Sequence, residues 1–393
     1  MESTRAVWAE VNLDNLANNI REVRRITNPN SKISAVIKAD GYGHGAVAIA
    51  QTLLENGADR FAVATLSEAI QLRKKFKDTE IMVLGYTPDH LAKDVITNNI
   101  IQTIYSLEQA QEFSKTAKDL NKDVVVHIKI DSGMNRLGML CTEETISEIL
   151  EIAKLDNIII EGIYTHFAVA DELDKEYTRN QVSKFNNIVN LLEEKGLNIP
   201  IKHVSNSAAI IDLPEFNYDM VRAGIMLYGL YPSHGVQKNN ANLKEVMTLK
   251  AKIAQIKTIE AGSGISYGLT HKCEKETKIA TLPIGYADGF TRMLSGKAKV
   301  LVKDTKVPVL GNICMDQCII DVTGLDVEVG DEVVLFGGNN KDGISIDSVA
   351  EILNTINYEV VCMVNKRVPR VYFKDGKKIE YKDYVLMLGN ELE

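Results

Sequence analysis

In "AVIKADGYGHG" (Ala35–Gly45) a run of small and apolar residues, the mark of a buried strand, gives way to Lys38 and then to a glycine-rich turn. A lysine at a strand end ordinarily carries its ammonium out to water along its methylene stem. One that is partly withdrawn from water has a lowered pKa, by as much as ~3–5 when fully buried. It then offers a neutral amine near neutral pH, able to condense with an aldehyde. Polar residues close later apolar runs too: Lys129 and Asp131, His166, Asn206 and Ser207; Arg222 lies within a further one. Each alone has a bland explanation, a satisfied core side chain or a solvated end. Gathered on one face they suit pyridoxal phosphate, the natural aldehyde partner of such a lysine. That cofactor needs a phosphate cradle, a partner for its pyridine nitrogen and acid–base groups at the reacting carbon. "SNSA" (Ser205–Ala208) and "AGI" (Ala223–Ile225) supply a hydroxyl at Ser207 and close backbone approach at Gly224, and Tyr42 adds a phenol. "AGI" also reads as an ordinary turn.

The elements that must bring these residues together follow from periodicity. Eight short apolar runs begin at Ala35, Phe61, Ile81, Gln102, Val124, Ile158, His203 and Met220. Between them lie stretches of helical period, among them Leu107–Leu120, Thr142–Ala153 and Asn180–Lys195. Strands buried on both faces and separated by helices predict a parallel sheet, and eight repeats predict an α/β fold of the (β/α)8 TIM-barrel type. An open doubly wound sheet is the alternative, without a GxGxxG fingerprint to support it. In a barrel the polar residues noted above lie at the C-terminal ends of the strands, the face where barrel chemistry occurs, and phosphate sites there follow strands seven and eight. After Lys250 the pattern changes to short alternating runs with Gly and Asp turns, a mostly β C-terminal domain with one helix near Ile346–Thr355. "AVWAEVN" (Ala6–Asn12) is a strand expected to pair with it. The divisions expected are 1–11 for that strand, 12–240 for the barrel and 241–393 for the β-rich domain.

Composition narrows the partners. The 393 residues are 45% hydrophobic and 25% charged, with a formal net charge of −8 and both signs interspersed, which argues against nucleic acid or an anionic membrane. No apolar run approaches the ~18 residues of a membrane span, and the N-terminus lacks the pattern of a secretion signal. Five cysteines form no disulfide framework, so a reducing cytoplasm is expected. Cys314 and Cys318 have neither a second cysteine pair nor nearby histidines, and no metal site is expected.

At this point several motifs match a known family. "AVIKADGYGHG", "IDSGMNRLG" (Ile130–Gly138), "IYTHFAVAD" (Ile163–Asp171), "HVSNSAA" (His203–Ala209), "VRAGIMLYG" (Val221–Gly229), "SGISYG" (Ser263–Gly268), "PIGYADG" (Pro283–Gly289) and "GNICMDQ" (Gly311–Gln317) resemble the alanine racemases, fold-type III pyridoxal phosphate enzymes, in the family's order and across nearly the whole chain. The resemblance implies that Lys38 carries the cofactor as an internal aldimine. Lys38 then serves as one base on the substrate's external aldimine, with Tyr267 as the opposing acid–base group. A free phenol, pKa ~10, is about three pH units too weakly acidic for that work, a gap of ~4 kcal/mol. The family closes part of it with a nearby cation, in an arrangement of His166 hydrogen-bonded to Arg222. Arg222 faces the pyridine nitrogen, and because arginine cannot accept a proton the ring stays neutral. Tyr42, Asn206, Ser207, Gly224, Ile225 and Tyr358 belong to the cofactor site. Arg136, Met315 and Asp316 resemble substrate-carboxylate contacts. Lys129 matches a position carbamylated in some members, or forms an ion pair with Asp131 or Arg136. Tyr286 matches a gate to the pocket, or packs in the core. Tyr267 is implied to serve the active site of a second copy, making the enzyme a homodimer with shared sites.

The implied reaction is interconversion of L- and D-alanine, supplying D-alanine for peptidoglycan. A serine or broad-specificity racemase is the alternative, since an apolar pocket rejects an added hydroxyl only ~100-fold. A fold-type III decarboxylase shares the architecture but usually lacks the pairing of the lysine with the "SGISYG" tyrosine. A non-catalytic cofactor carrier would resemble the barrel alone.

Overall fold

The computed structural model describes residues 4–338 and 343–390, with the side chains of 388–390 excepted. The chain divides into two units, one of Ala17–Gly41 with Ala46–Leu243 and the other of Met1–Leu16, Tyr42–Gly45 and Lys244–Glu393. The division departs from the 11/12 and 240/241 boundaries read from sequence, above all because Tyr42–Gly45, directly after the Lys38 turn, belongs with the β-rich unit.

The first unit is the α/β barrel. Among the described residues eight strands lie in sequence order around it: Lys32–Val36, Arg60–Val63, Ile81–Val83, Ile101–Ile104, Val124–Asp131, Ile158–Tyr164, Ile201–His203 and Met220–Ala223. Neighbours pair in parallel, and the last strand returns to the first with Met220 opposite Lys32. The seam between the last two is held by Asp219 N–H donating to Lys202 O (3.1 Å) and Arg222 N–H to Ser205 O (3.0 Å). Several strands are buried at every position, as the unbroken apolar runs require. The helices between them begin where short polar side chains cap them. Ser106 accepts from Gln109 N–H ahead of Leu107–Asp119, and Thr65 and Glu68 form a reciprocal capping box ahead of Leu66–Lys75.

Three strand ends differ from the reading above, the sixth strand stopping at Tyr164, two residues before His166. The first strand stops at Val36, two residues before Lys38, and the seventh stops at His203, so Asn206 is a helix cap rather than a strand residue. The ladder between Val124–Asp131 and Ile158–Tyr164 shifts register between Val126 and His127. There the ring of His127 occupies the space over Gly162, where a Cβ would lie 2.4 Å from two ring atoms.

The second unit is built on a ten-stranded sheet. Val7–Asn12 lies within it, antiparallel to Met247–Lys252 and parallel to Arg370–Lys374, among the described residues the one parallel pair in an otherwise antiparallel order. Helices Ile346–Leu353 and Asn357–Met363 follow in this unit, the second not evident from the sequence pattern. Among the described residues no helix is long and apolar enough to cross a membrane, and all five cysteines are free thiols.

Gly162→Ala is expected to lower the unfolding free energy by about 1–3 kcal/mol, because the added methyl displaces a ring in a close-packed barrel. Urea denaturation checks it, and an unchanged midpoint would show that the ring has room to move.

Candidate active site

Lys38 opens a turn of unusual hand. Ala39, Asp40, Gly41 and Tyr42 all have positive φ, between 51° and 63°. L-residues lose roughly 1–2 kcal/mol each in left-handed helical conformation, which is normally visited singly. The turn is held by Gly41 N–H donating to Ile37 O (2.9 Å), Ala39 N–H to Glu68 Oε1 (2.6 Å) and Ala46 N–H to Asp40 Oδ1 (2.9 Å). Lys38 itself is half-buried.

Arg222 is the barrel's central cation, 3% exposed. Its Nη1 donates to His203 Nδ1 (2.8 Å) and His203 O (3.2 Å). Its Nη2 donates to Thr165 O (2.8 Å), Val204 O (3.0 Å) and His166 Nδ1 (3.2 Å). Among the described residues no carboxylate pairs with it. Burial pulls its pKa down to about 10, so it stays charged at neutral pH. Tyr164 lies beneath the guanidinium (5.2 Å from ring centroid to Cζ) and stacks on His203 at 4.6 Å.

That charge adds to the effect of burial on its neighbours. Burial, then Arg222, Lys129, Arg136 and Lys38, hold His166 well below the usual imidazole range, so its ring is neutral. Nδ1 accepts from Arg222, so its proton lies on Nε2. Burial and then Arg222 also bring Lys129 down to about 7. Lys129 Nζ donates to Ile130 O (3.2 Å) and sits over the Tyr164 ring at 4.9 Å. The ion pair with Asp131 does not form: that carboxylate instead accepts from Gly133, Asn135 and Arg136 N–H at 2.9–3.0 Å and shapes the loop carrying the exposed Arg136.

Ser207 Oγ accepts from Gly224 N–H (3.0 Å), which leaves the Ser207 hydroxyl proton to donate elsewhere. This bond sets side by side the starts of two helical turns, Ser207–Asp212 and Ile225–Tyr228, whose opening N–H groups have no intrahelical acceptor. Asn206 caps the first by accepting from Ala209 N–H (3.1 Å).

In the β-rich unit, Tyr42 and Tyr358 have ring centroids 6.1 Å apart, and burial raises the Tyr42 phenol well above its ordinary pKa. Tyr267, Tyr286 and Met315 stand on linked loops. Ser266 Oγ donates to Asn312 O (2.5 Å), Asn312 Nδ2 to Tyr267 O (2.7 Å), Tyr286 N–H to Cys314 O (3.0 Å) and Ala287 N–H to Met315 O (3.1 Å). Gly285 is required, since a Cβ there would meet Cys314 O at 2.2 Å. These loops leave Tyr267 (71%), Met293 (62%), Leu269 (57%), Met315 (52%) and Tyr286 (41%) exposed, so Tyr286 does not pack in the core. Asp316 accepts from Arg367 Nη2 at 2.8 Å and is thereby committed to an ion pair.

Sequence reasoning passed over His127, Glu161 and Arg60. His127 Nδ1 is 2.9 Å from His203 Nε2, and His127 Nε2 donates to Glu161 Oε2 at 2.7 Å. Arg60 donates to the same oxygen at 2.7 Å. The available signal was a histidine and a glutamate inside two apolar runs, away from their C-terminal ends. Among the described residues no cluster of His, Cys, Asp or Glu could hold a metal ion.

Residues 11–232 match the family model described as alanine racemase, N-terminal domain, and residues 246–372 that of its C-terminal domain. The chain is 52% identical over 382 residues to alanine racemase 1 of Clostridium acetobutylicum, covering 97% of this chain and 99% of that one. It superposes on the solved alanine racemase of Clostridium difficile 630 with a TM-score of 0.94 at 47% identity, covering 98% and 100% of the two chains. The complex of the C. difficile protein with cycloserine gives 0.92 at 46% identity over the same shares.

Lys129 releases its proton near pH 7 in the folded chain and near 10.5 when unfolded. Between those values the unfolded chain holds more protons, so stability rises with pH across that window. Lys129→Met is expected to remove a few kcal/mol of that rise, measured as the difference between parent and variant in urea denaturation at pH 7 and pH 10. Parallel curves would place the ammonium in water.

Proposed function

The chain belongs to the alanine racemase family, and on that footing we propose that it interconverts L- and D-alanine with bound pyridoxal phosphate, using Lys38 and Tyr267 as its two proton-transfer groups. The observation that carries the reading is Arg222: a buried cation whose hydrogen-bond partners are all neutral. With Lys38, Lys129 and Arg136 also acting on His166, the barrel mouth holds a surplus of positive charge that suits an anionic, phosphorylated ligand. The paired turn starts at Ser207 and Ile225 supply hydroxyl and N–H donors for its phosphate, which Tyr42 and Tyr358 also help to hold. When bound, the cofactor supplies an aldehyde for the Lys38 amine and an electron sink for the carbon that loses its proton.

The chain's own residues do the rest. Arg222 would offer a pyridine nitrogen only N–H donors and no acceptor for a ring proton. Lys38 Nζ removes or returns the proton on one face of the substrate carbon, and Tyr267 Oη does so on the other. His166 is neutral, so it aids a Tyr267 phenolate through its Nε2–H, with the cation one bond further back at Arg222. Arg136 and the Met315–Asp316 loop orient the substrate carboxylate, Asp316 through its pair with Arg367 rather than by direct contact. Carbamylation of Lys129, whose amine is partly neutral near pH 7, would convert one of the crowded cations into an anion beside Arg136.

Tyr267 is 71% exposed on its loop, amid exposed Leu269, Tyr286, Met293 and Met315. A second copy covering this apolar face makes a homodimer with two shared sites, Tyr286 standing as the gate. D-alanine for cell-wall peptide, made in the cytoplasm, is the role this activity serves, and neither nucleic acid nor membrane enters it.

Lys38→Ala is expected to abolish racemisation, and Tyr267→Phe to slow it about 10²–10⁴-fold. Mixed and allowed to exchange subunits, the two variants should recover about a quarter of the parent rate, since each mixed dimer rebuilds one intact site. No recovery despite demonstrated exchange would refute shared sites. Initial rates with alanine, serine, lysine and arginine, and carbon dioxide release, separate this reading from a broad-specificity racemase and from a decarboxylase.

A further inference from the structure

The hydrogen bonds to Arg222 continue through the barrel in a single direction. Arg222 can only donate, so His203 Nδ1 must be a lone pair and the His203 proton must lie on Nε2. That Nε2–H faces His127 Nδ1 at 2.9 Å, which is then the acceptor, placing the His127 proton on Nε2. His127 Nε2–H donates to Glu161 Oε2 at 2.7 Å. Both rings are wholly buried, and neither Arg222 at one end nor an ionised carboxylate at the other allows the reverse order. Burial keeps both imidazoles neutral. Burial works against ionisation of Glu161, yet the hydrogen bonds from His127 and Arg60 and the charge of Arg60 bring it to about 2.

The far end is also built. Arg60, 0% exposed, donates to Glu161 at 2.7 Å and pairs with Glu80, which Lys32 also reaches at 3.7 Å, so Glu161 is fixed in a cluster of two carboxylates and two cations. It borders a cavity of about 350 Å³ lined by Thr79, Asn99, Ile101 and Val125, residues before or at the starts of barrel strands. Gly162, adjacent to Glu161, leaves the space His127 needs to connect the two ends.

We propose that Glu161, at the N-terminal end of the barrel, is the remote counter-ion of Arg222, acting through His127 and His203 to hold the guanidinium charged and in place at the opposite mouth. A carboxylate behind an imidazole makes the ring's other nitrogen a better acceptor, and successive hydrogen bonds polarise one another. Glu161 is therefore a positioning residue, touching neither substrate nor cofactor. Its distance leaves the pyridine nitrogen facing a donor alone, where an adjacent carboxylate would compete for Arg222. The inference rests on the racemase reading for its effect on rate, but not for its structural part.

Selective ¹⁵N-histidine labelling of the purified protein tests the structural part directly. The result expected is that His127 and His203 are neutral Nε2–H tautomers in the parent, and that Glu161→Met removes this state at His127 and shifts the His203 Nδ1 resonance. In the same variant kcat should fall tenfold or more with KM changed less than twofold, at a thermal midpoint and cofactor absorbance that show an intact fold. Tautomers of the opposite sense in the parent would overturn the proposal. So would a variant with unmoved histidine resonances, or one whose kcat stays within twofold of the parent. Failure of the racemase reading would appear separately, as a parent that holds these tautomers and does not racemise alanine.

Discussion

A guanidinium buried without an adjacent anion is the constraint on which the barrel mouth depends. Placing Arg222 there lowers its pKa to about 10, on the order of 3 kcal/mol of unfavourable burial. Three backbone carbonyls and two imidazoles meet its donors, and the Tyr164 face adds a cation–π contact. Neutral acceptors satisfy hydrogen bonds without cancelling charge, so the residual field acts on whatever else is near. Together with burial, the larger cause, it keeps His166 neutral and brings Lys129 into the range where its amine is half unprotonated. A neutral ring at 166 and a partly neutral amine at 129 thus follow from burial first and from this one charge second.

The sequence made this arrangement partly legible. Unbroken apolar runs identified the barrel strands, because a strand buried on both faces has no position to leave polar. Strand ends were less legible, since the chain leaves a strand through local hydrogen bonds that periodicity does not register. Lys38 lies in a left-handed turn two residues past its strand, and Asn206 caps a helix instead of ending a strand. Asp131 illustrates the same limit. Its proximity to Lys129 in sequence suggests an ion pair, but three backbone N–H groups of the following loop are nearer claimants on the carboxylate.

Attention to the C-terminal ends of strands explains the larger omission. His127 and Glu161 sit inside apolar runs, and neither is intelligible alone. They become so only when a register shift and a glycine place the ring of one over the strand of the other. In the β-rich unit the loops of Tyr267, Tyr286 and Met315 are joined by hydrogen bonds between residues tens of positions apart, which no local pattern encodes.

The turn after Lys38 lies where the chain passes from one unit's residues to the other's. Three non-glycine residues in left-handed conformation cost roughly 3–6 kcal/mol unless their surroundings over-determine them. On the barrel side the determinants are Ile37 O, Glu68 and Asp40. On the other side Arg370 Nε donates to Gly43 O at 2.9 Å and Tyr372 Oη to His44 O at 3.0 Å, fixing the segment Tyr42–Gly45 among residues of the β-rich unit. A lysine held only by its strand would follow that strand's direction. Held between two anchored segments, the turn that follows it keeps at residues 39–42 a conformation the isolated sequence would not choose.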